Sequence, residues 1–173
     1  MNRREALRKA AVAAGGLAVL PAWATAWNPK TLGGTGSFLS RQHEALLVLV
    51  ADTIIPTTDT PGAKDLGVPA FVEKMLADCY EKEVQENVKT GLDTAEKTAK
   101  ITYSKSLGDC DVQQRKEVLK KMEVSAEQPQ KDFFALMKSL TVLGFTTSEY
   151  VQTQHLKYNP IPGHYYGCVP IAP

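Results

Sequence analysis

The side chains able to ligate a metal or pass electrons are few and scattered. The histidines are His43, His155 and His164; the cysteines are Cys79, Cys110 and Cys168. Metal sites draw their His, Cys or carboxylate ligands from short, characteristic spacings, and none of these six residues stands at one. No C-x-x-C-H is present for covalent haem, no G-x-S-x-G for a nucleophilic serine, and no G-x-G-x-x-G after a strand for a dinucleotide. Gly33-Gly34-Thr35-Gly36-Ser37 is glycine-rich, but it lacks the lysine that would reach a phosphate. The acidic residues scatter along helix faces, as solvated charges do. The pattern points to a chain with no catalytic, cofactor-binding or metal-binding residues of its own. Catalytic groups can still meet in space from distant positions, so a stand-alone enzyme stays as an alternative, beside an independent binding or scaffold protein.

The chemistry that is legible concerns export. Asn2-Arg3-Arg4-Glu5-Ala6-Leu7-Arg8-Lys9 is a basic head, and Ala10 to Leu20 carries no charge. Ala24-Thr25-Ala26 is a small-x-small tripeptide of the kind signal peptidases cut after. A dozen apolar residues are too few to span a bilayer, which takes about twenty. Residues 1–26 are therefore expected to be an export signal, with the Arg3-Arg4 pair pointing to the twin-arginine route. Ala6 departs from that route's pattern, which has Phe there, and Leu7 fits it. The working protein is expected outside the cytoplasm, where disulfides can persist. An odd count of cysteines then leaves a free thiol or a bond to another chain. Cys79 lies on an apolar helix face and is expected to be a small buried hydrophobe. Cys110 sits at a helix boundary and could pair with either of the others.

Removal of residues 1–26 lowers Lys+Arg from 20 to 16 and Asp+Glu from 19 to 18, so the remainder is near −2. That balance gives no electrostatic footprint for nucleic acid or an anionic membrane surface. Its length suits one domain with a real core.

The elements that would position a site are helices, and no useful β-alternation occurs. Residues 27–39 form a linker holding Pro29, Gly33, Gly34 and Gly36. Ser40 is placed to cap a helix through Ile55, apolar enough to be central in the core and stopped by Pro56. A loop follows over 56–67, in which Thr60-Pro61-Gly62-Ala63 suits a type II turn with positive φ at Gly62. Pro69 opens a second helix to about Tyr80, with Val72, Met75, Leu76 and Cys79 on one face. Over 83–106, Val84, Val88, Leu92, Ala95, Ala99 and Tyr103 make a narrow apolar stripe on a charged helix ended by Gly108. Asp111 caps a helix over 112–122 carrying Val112, Val118, Leu119 and Met122. Pro129 opens another, with Phe133, Phe134, Leu136, Met137, Leu140, Val142 and Leu143 on it. Thr146 to Glu149 breaks the chain, and residues 158–173 form an extended proline-rich tail. The fold class is all-α: one helical domain over 40–173 with a long Pro/Gly loop after its first core helix.

Two stretches carry a resemblance. Ile55-Pro56-x-Thr58-Asp59-Thr60-Pro61-Gly62-Ala63, followed by Val68 and Phe71, is one. The terminal Tyr158-Asn159-Pro160-x-Pro162-Gly163-x-Tyr165-x-Gly167-Cys168 is the other. With the arginine-pair signal, they resemble the gluconate 2-dehydrogenase subunit 3 family. That resemblance implies a small, cofactor-free subunit beside a large flavoprotein of the glucose–methanol–choline type. The FAD would lie in that partner. A c-type cytochrome, whose haem c takes the electrons, often completes the complex, which oxidises sugars, sugar acids or glycosides in the periplasm. The small subunit would carry the signal, read by the twin-arginine translocase, for both chains. Asp59, Pro61 and Gly62 of the loop and Tyr165, Tyr166, Gly167 and Cys168 of the tail are then the expected partner interface, with Cys168 a candidate for a bond to the partner; the alternative is a tail folded back over its own core.

Overall fold

The computed structural model describes residues 38–159, together with Glu5, Ile161 and Gly163. The arginine pair, the Ala24-x-Ala26 tripeptide, residues 27–37 of the linker and Tyr165 to Cys168 lie outside the described residues. From Phe38 onward the chain is one compact unit. Among its described residues there are five α-helices, one π-helical turn and no strand, so the all-α expectation holds. The helices are α1 (Arg41–Ile54), α2 (Val68–Cys79), α3 (Lys82–Tyr103), α4 (Val112–Glu123) and α5 (Gln128–Thr146), and the π turn spans Val151–His155.

Helix α1 begins where Ser40 accepts the His43 N–H on its hydroxyl, at 3.2 Å. Capping satisfies an amide that the helix itself leaves without a partner. The helix is central, packed against each of the other four, with Leu46, Leu47, Val50 and Ala51 buried. The stripe expected on α3 is present: Val88, Leu92, Ala95 and Ala99 are all fully buried. Beside it, Gly91 lets α5 come close, because a β-carbon there would stand 2.3 Å from the ring of Phe133. Phe133 is the largest fully buried side chain. Burying a side chain of this kind contributes roughly 1.5–3 kcal/mol.

Three local expectations need correction. Helix α3 ends at Tyr103, not Gly108, because Ser104 takes the left-handed conformation at φ 54° and its N–H returns to Lys100 O. Val112, Val142 and Leu143 are exposed: Val112 is the first residue of α4, and Val142 and Leu143 lie off the face of α5 that buries Phe133, Met137, Leu140 and Gly144. Cys79 is exposed, not buried; it is the last residue of α2, where the helix has run past the core.

One polar group inside the bundle has a structural role. Glu96 of α3 is only 8% exposed. Its carboxylate accepts the Leu107 N–H at 2.9 Å, the Ser106 hydroxyl at 3.4 Å and the Lys100 ammonium at 3.0 Å. Burial opposes its charge, but these three donors outweigh that cost and hold the carboxyl below its ordinary range. The bonds fold the 104–110 loop back onto α3. At the loop's end, Asp111 and Gln114 form a reciprocal capping box that starts α4. Arg115 then ties the start of α4 to both neighbours, donating to Cys110 O at 3.0 Å and reaching Asp52 of α1 at 3.5 Å.

Candidate partner-binding surface

The loop over 56–67 is held by its own chain. Asp65 is its hub: one carboxylate oxygen accepts the Thr57 hydroxyl at 2.5 Å and the Gly62 N–H at 3.0 Å. Both bonds favour the ionised form, so the Thr57 hydroxyl, then the Gly62 N–H, hold the carboxyl below its usual range. Backbone bonds complete the clasp. Ala63 N–H meets Ile55 O at 2.9 Å, and Val68 N–H meets Ala63 O at 3.1 Å. Ala63 is fully buried and plugs the loop into the core.

The type II turn expected at Thr60 to Ala63 does not form, because Gly62 has no positive φ. The glycine is required for space instead. A β-carbon at Gly62 would stand 2.5 Å from Thr57 N and 2.8 Å from Pro56 C. The positive φ of this segment falls at Gly67, 70°, where the left-handed residue caps α2. Of the interface residues expected here, Asp59 is exposed at the tip, Pro61 half-buried and Gly62 buried. Asp59 can touch another molecule; Gly62 acts by letting the two arms of the loop meet.

The far end of the chain comes to the same place. Gly144 of α5 sits against Phe71 and Val68 of α2, where a β-carbon would stand 2.6 Å from the Phe71 ring. That approach brings the segment after α5 beside the loop. Asp65 and Leu66 form one wall of a cleft of about 430 Å³, and Ser148, Tyr150 and Gln154 belong to the other. The π turn is fixed by Gln152, whose side-chain amide donates to Thr146 O at 2.8 Å. Tyr158 N–H then donates to Gln152 O at 2.8 Å, so the tail leaves from this turn. Leu156 at the end of the turn and Tyr158 and Ile161 of the tail are all more than 60% exposed. The loop and the first part of the tail, some ninety residues apart, thus border one end of the bundle.

The family model described as gluconate 2-dehydrogenase subunit 3 matches residues 41–163. The chain belongs to that family. The match takes in all five helices, the loop and the start of the tail, and membership makes the chain a subunit of a dehydrogenase complex. No curated protein and no solved structure matches it.

The described histidines and cysteines of this subunit 3 chain have the following surroundings. His43 Nε2 lies 3.1 Å from Asp93 Oδ1, joining α1 to α3. His155 meets the ring of Tyr150 edge-on at 5.4 Å. His164 lies outside the described residues. Cys79 and Cys110 are free thiols, one exposed and one buried. Among the described residues no three His, Cys, Asp or Glu side chains group as metal ligands would, and no helix is long and apolar enough to cross a membrane. Asp65 and Glu96 were not singled out by sequence. Asp65 stands three residues after Gly62, the spacing at which an N3 carboxylate returns to an N-cap amide, and that spacing is the signal that could have found it. Glu96 gives no such signal on a helix rich in charge.

Proposed function

We propose that this chain is the non-catalytic small subunit of a periplasmic FAD-dependent dehydrogenase of the glucose–methanol–choline type, acting on a sugar, a sugar acid such as gluconate, or a glycoside. In this reading the flavoprotein does the chemistry and a c-type cytochrome accepts its electrons. The small subunit stabilises the flavoprotein and supplies the twin-arginine signal for both. The observation that carries the reading is the family match over 41–163. The exposed tip at Asp59 and the exposed Leu156, Tyr158 and Ile161 support it as a surface for a partner.

The division of labour has a physical rationale. A flavoprotein must close around its cofactor before export, because free flavin is not dependably available outside. The twin-arginine route carries folded proteins. A subunit that binds only the folded, loaded partner therefore couples export to folding, and it stabilises that state by about 2.7 kcal/mol when present at a hundredfold excess over its Kd.

The test is to make the flavoprotein with and without this chain. With it, a yellow complex carrying dehydrogenase activity is expected in the periplasm, and the purified small subunit alone should turn nothing over. A flavoprotein that is stable, exported and active without this chain would defeat the proposal.

A further inference from the structure

A second depression, of about 200 Å³, lies where α1, α4 and α5 meet, and it shares no residue with the loop–tail cleft. Its floor is mainly apolar: Ile54 of α1, Leu119 of α4 and Phe134 of α5, beside Thr53 of α1, whose hydroxyl donates to Leu49 O. Its rim is cationic: Lys116 and Lys120 from α4 and Lys138 from α5, against the single carboxylate of Glu123. Glu123 is engaged with Lys138, at 3.8 Å, and the Lys138 ammonium also lies 5.6 Å from the centre of the Phe134 ring. Lys116 and Lys120 have no ion pair or side-chain hydrogen bond among the described residues.

Lysines on a helix are ordinarily a solvated face. Here they surround open apolar surface, and that combination calls for a ligand with an apolar body and an anionic group. The exposed apolar surface also runs past the depression. Val142 stands one turn beyond Lys138 on α5, and Val124 follows Glu123 at the end of α4, 44% and 78% exposed. An occupant that covers both ends is larger than the depression itself, which favours a polypeptide over a small amphiphile.

We propose that this depression seats an aromatic or branched side chain of the flavoprotein subunit, with a neighbouring carboxylate of that subunit held by Lys116 and Lys120. The proposal rests on the reading of this chain as the partner of that flavoprotein. Apolar anchors in desolvated pockets dominate interface energies, and the ammonium groups would set orientation and on-rate more than affinity.

Two arms test it. In the first, N-acetyl-L-phenylalanine is titrated into the purified full chain and followed by amide chemical shifts. Shifts centred on Ile54, Leu119 and Phe134 are expected. Binding should weaken about five- to tenfold in a Lys116→Gln/Lys120→Gln variant, as expected for the loss of two exposed ion pairs, and by a similar factor for the uncharged N-acetyl-phenylalaninamide. Shifts elsewhere, or equal binding of acid and amide, would overturn the proposal. In the second arm, the same variant is co-produced with the flavoprotein. Reduced recovery of the complex at rising salt is expected, and recovery equal to wild type at every salt concentration would overturn the proposal while leaving the function intact. If the wild-type chain recovers no flavoprotein, the proposed function falls, and the site falls with it as a seat for that partner.

Discussion

Glu96 offers a direct test of what holds the helical unit together. Replacing it with Gln keeps the shape but removes the charge. Lys100 stands on one carboxylate oxygen, and the Leu107 N–H and the Ser106 hydroxyl on the other; an amide that keeps its oxygen toward Leu107 and Ser106 must turn its NH2 group to the Lys100 ammonium, another donor. The Leu107 N–H, in a residue only 1% exposed, then meets a neutral oxygen in place of a charged one. A hydrogen bond to a charged group contributes about 1.5–3 kcal/mol against about 0.5–1.5 for a neutral one, and the Lys100 pair is lost as well. About 2 kcal/mol of destabilisation is therefore expected for Glu96→Gln at pH 7. With a urea m-value of about 2 kcal/mol per molar, the unfolding midpoint should fall by about 1 M. The pH dependence follows from the direction of the shift. Folding lowers the Glu96 pKa, so its contribution is complete above the unfolded value of about 4.3 and is lost as pH falls through the lower folded value. The gap between wild type and Glu96→Gln should thus be constant near neutrality and close in acid below pH about 4. Coincident midpoints at pH 7, or a gap that persists undiminished at pH about 3, would contradict this role for the Glu96 carboxylate.

Other substitutions probe the close contacts. Gly91→Ala should gain about 1 kcal/mol of helix propensity yet lose more to overpacking against Phe133, which typically costs about 1–3 kcal/mol. A lower Tm is expected, partly restored by adding Phe133→Leu, and a Tm above wild type would be contrary. Gly62→Ala should speed hydrogen exchange at the Ala63 and Val68 amides while leaving mid-α3 amides unchanged; unchanged exchange in the loop would show that the Pro56–Thr57 backbone yields freely. In a Cys168→Ser background, a thiol reagent should modify Cys79 promptly. Cys110, 3% exposed and with a thiol pushed up by burial, should react only on unfolding; prompt reaction of two thiols would contradict the packing around α4.

The features legible in the sequence are those set by neighbours in the chain. Ser40 and Asp111 could be read as caps because a cap needs only an amide three residues away. The α3 stripe was legible because burial on one side imposes helical spacing. Where distant segments meet, sequence reading failed. Pro61-Gly62 has the composition of a type II turn, but Gly62 is there because the Pro56–Thr57 backbone passes against it. Cys79 has the right phase for burial, yet phase does not say where the core stops. Glu96 looks like any charge on a charged helix until the loop at Leu107 folds onto it. The cleft joins Asp65 to Ser148–Gln154 across some eighty residues, and no local pattern encodes that meeting. The family resemblance reached further than periodicity, because it took the loop and the tail together before their proximity was visible.

The proposed function turns on whether Arg3 and Arg4 serve a flavoprotein partner as well as the chain that carries them. The measurement is the partition of flavoprotein dehydrogenase activity between periplasm and cytoplasm in cells making the small subunit with both arginines or as Arg3→Lys/Arg4→Lys. Under the proposed function, the double substitution leaves the flavoprotein folded and active but confined to the cytoplasm. Periplasmic activity at the wild-type level with both arginines replaced would contradict it.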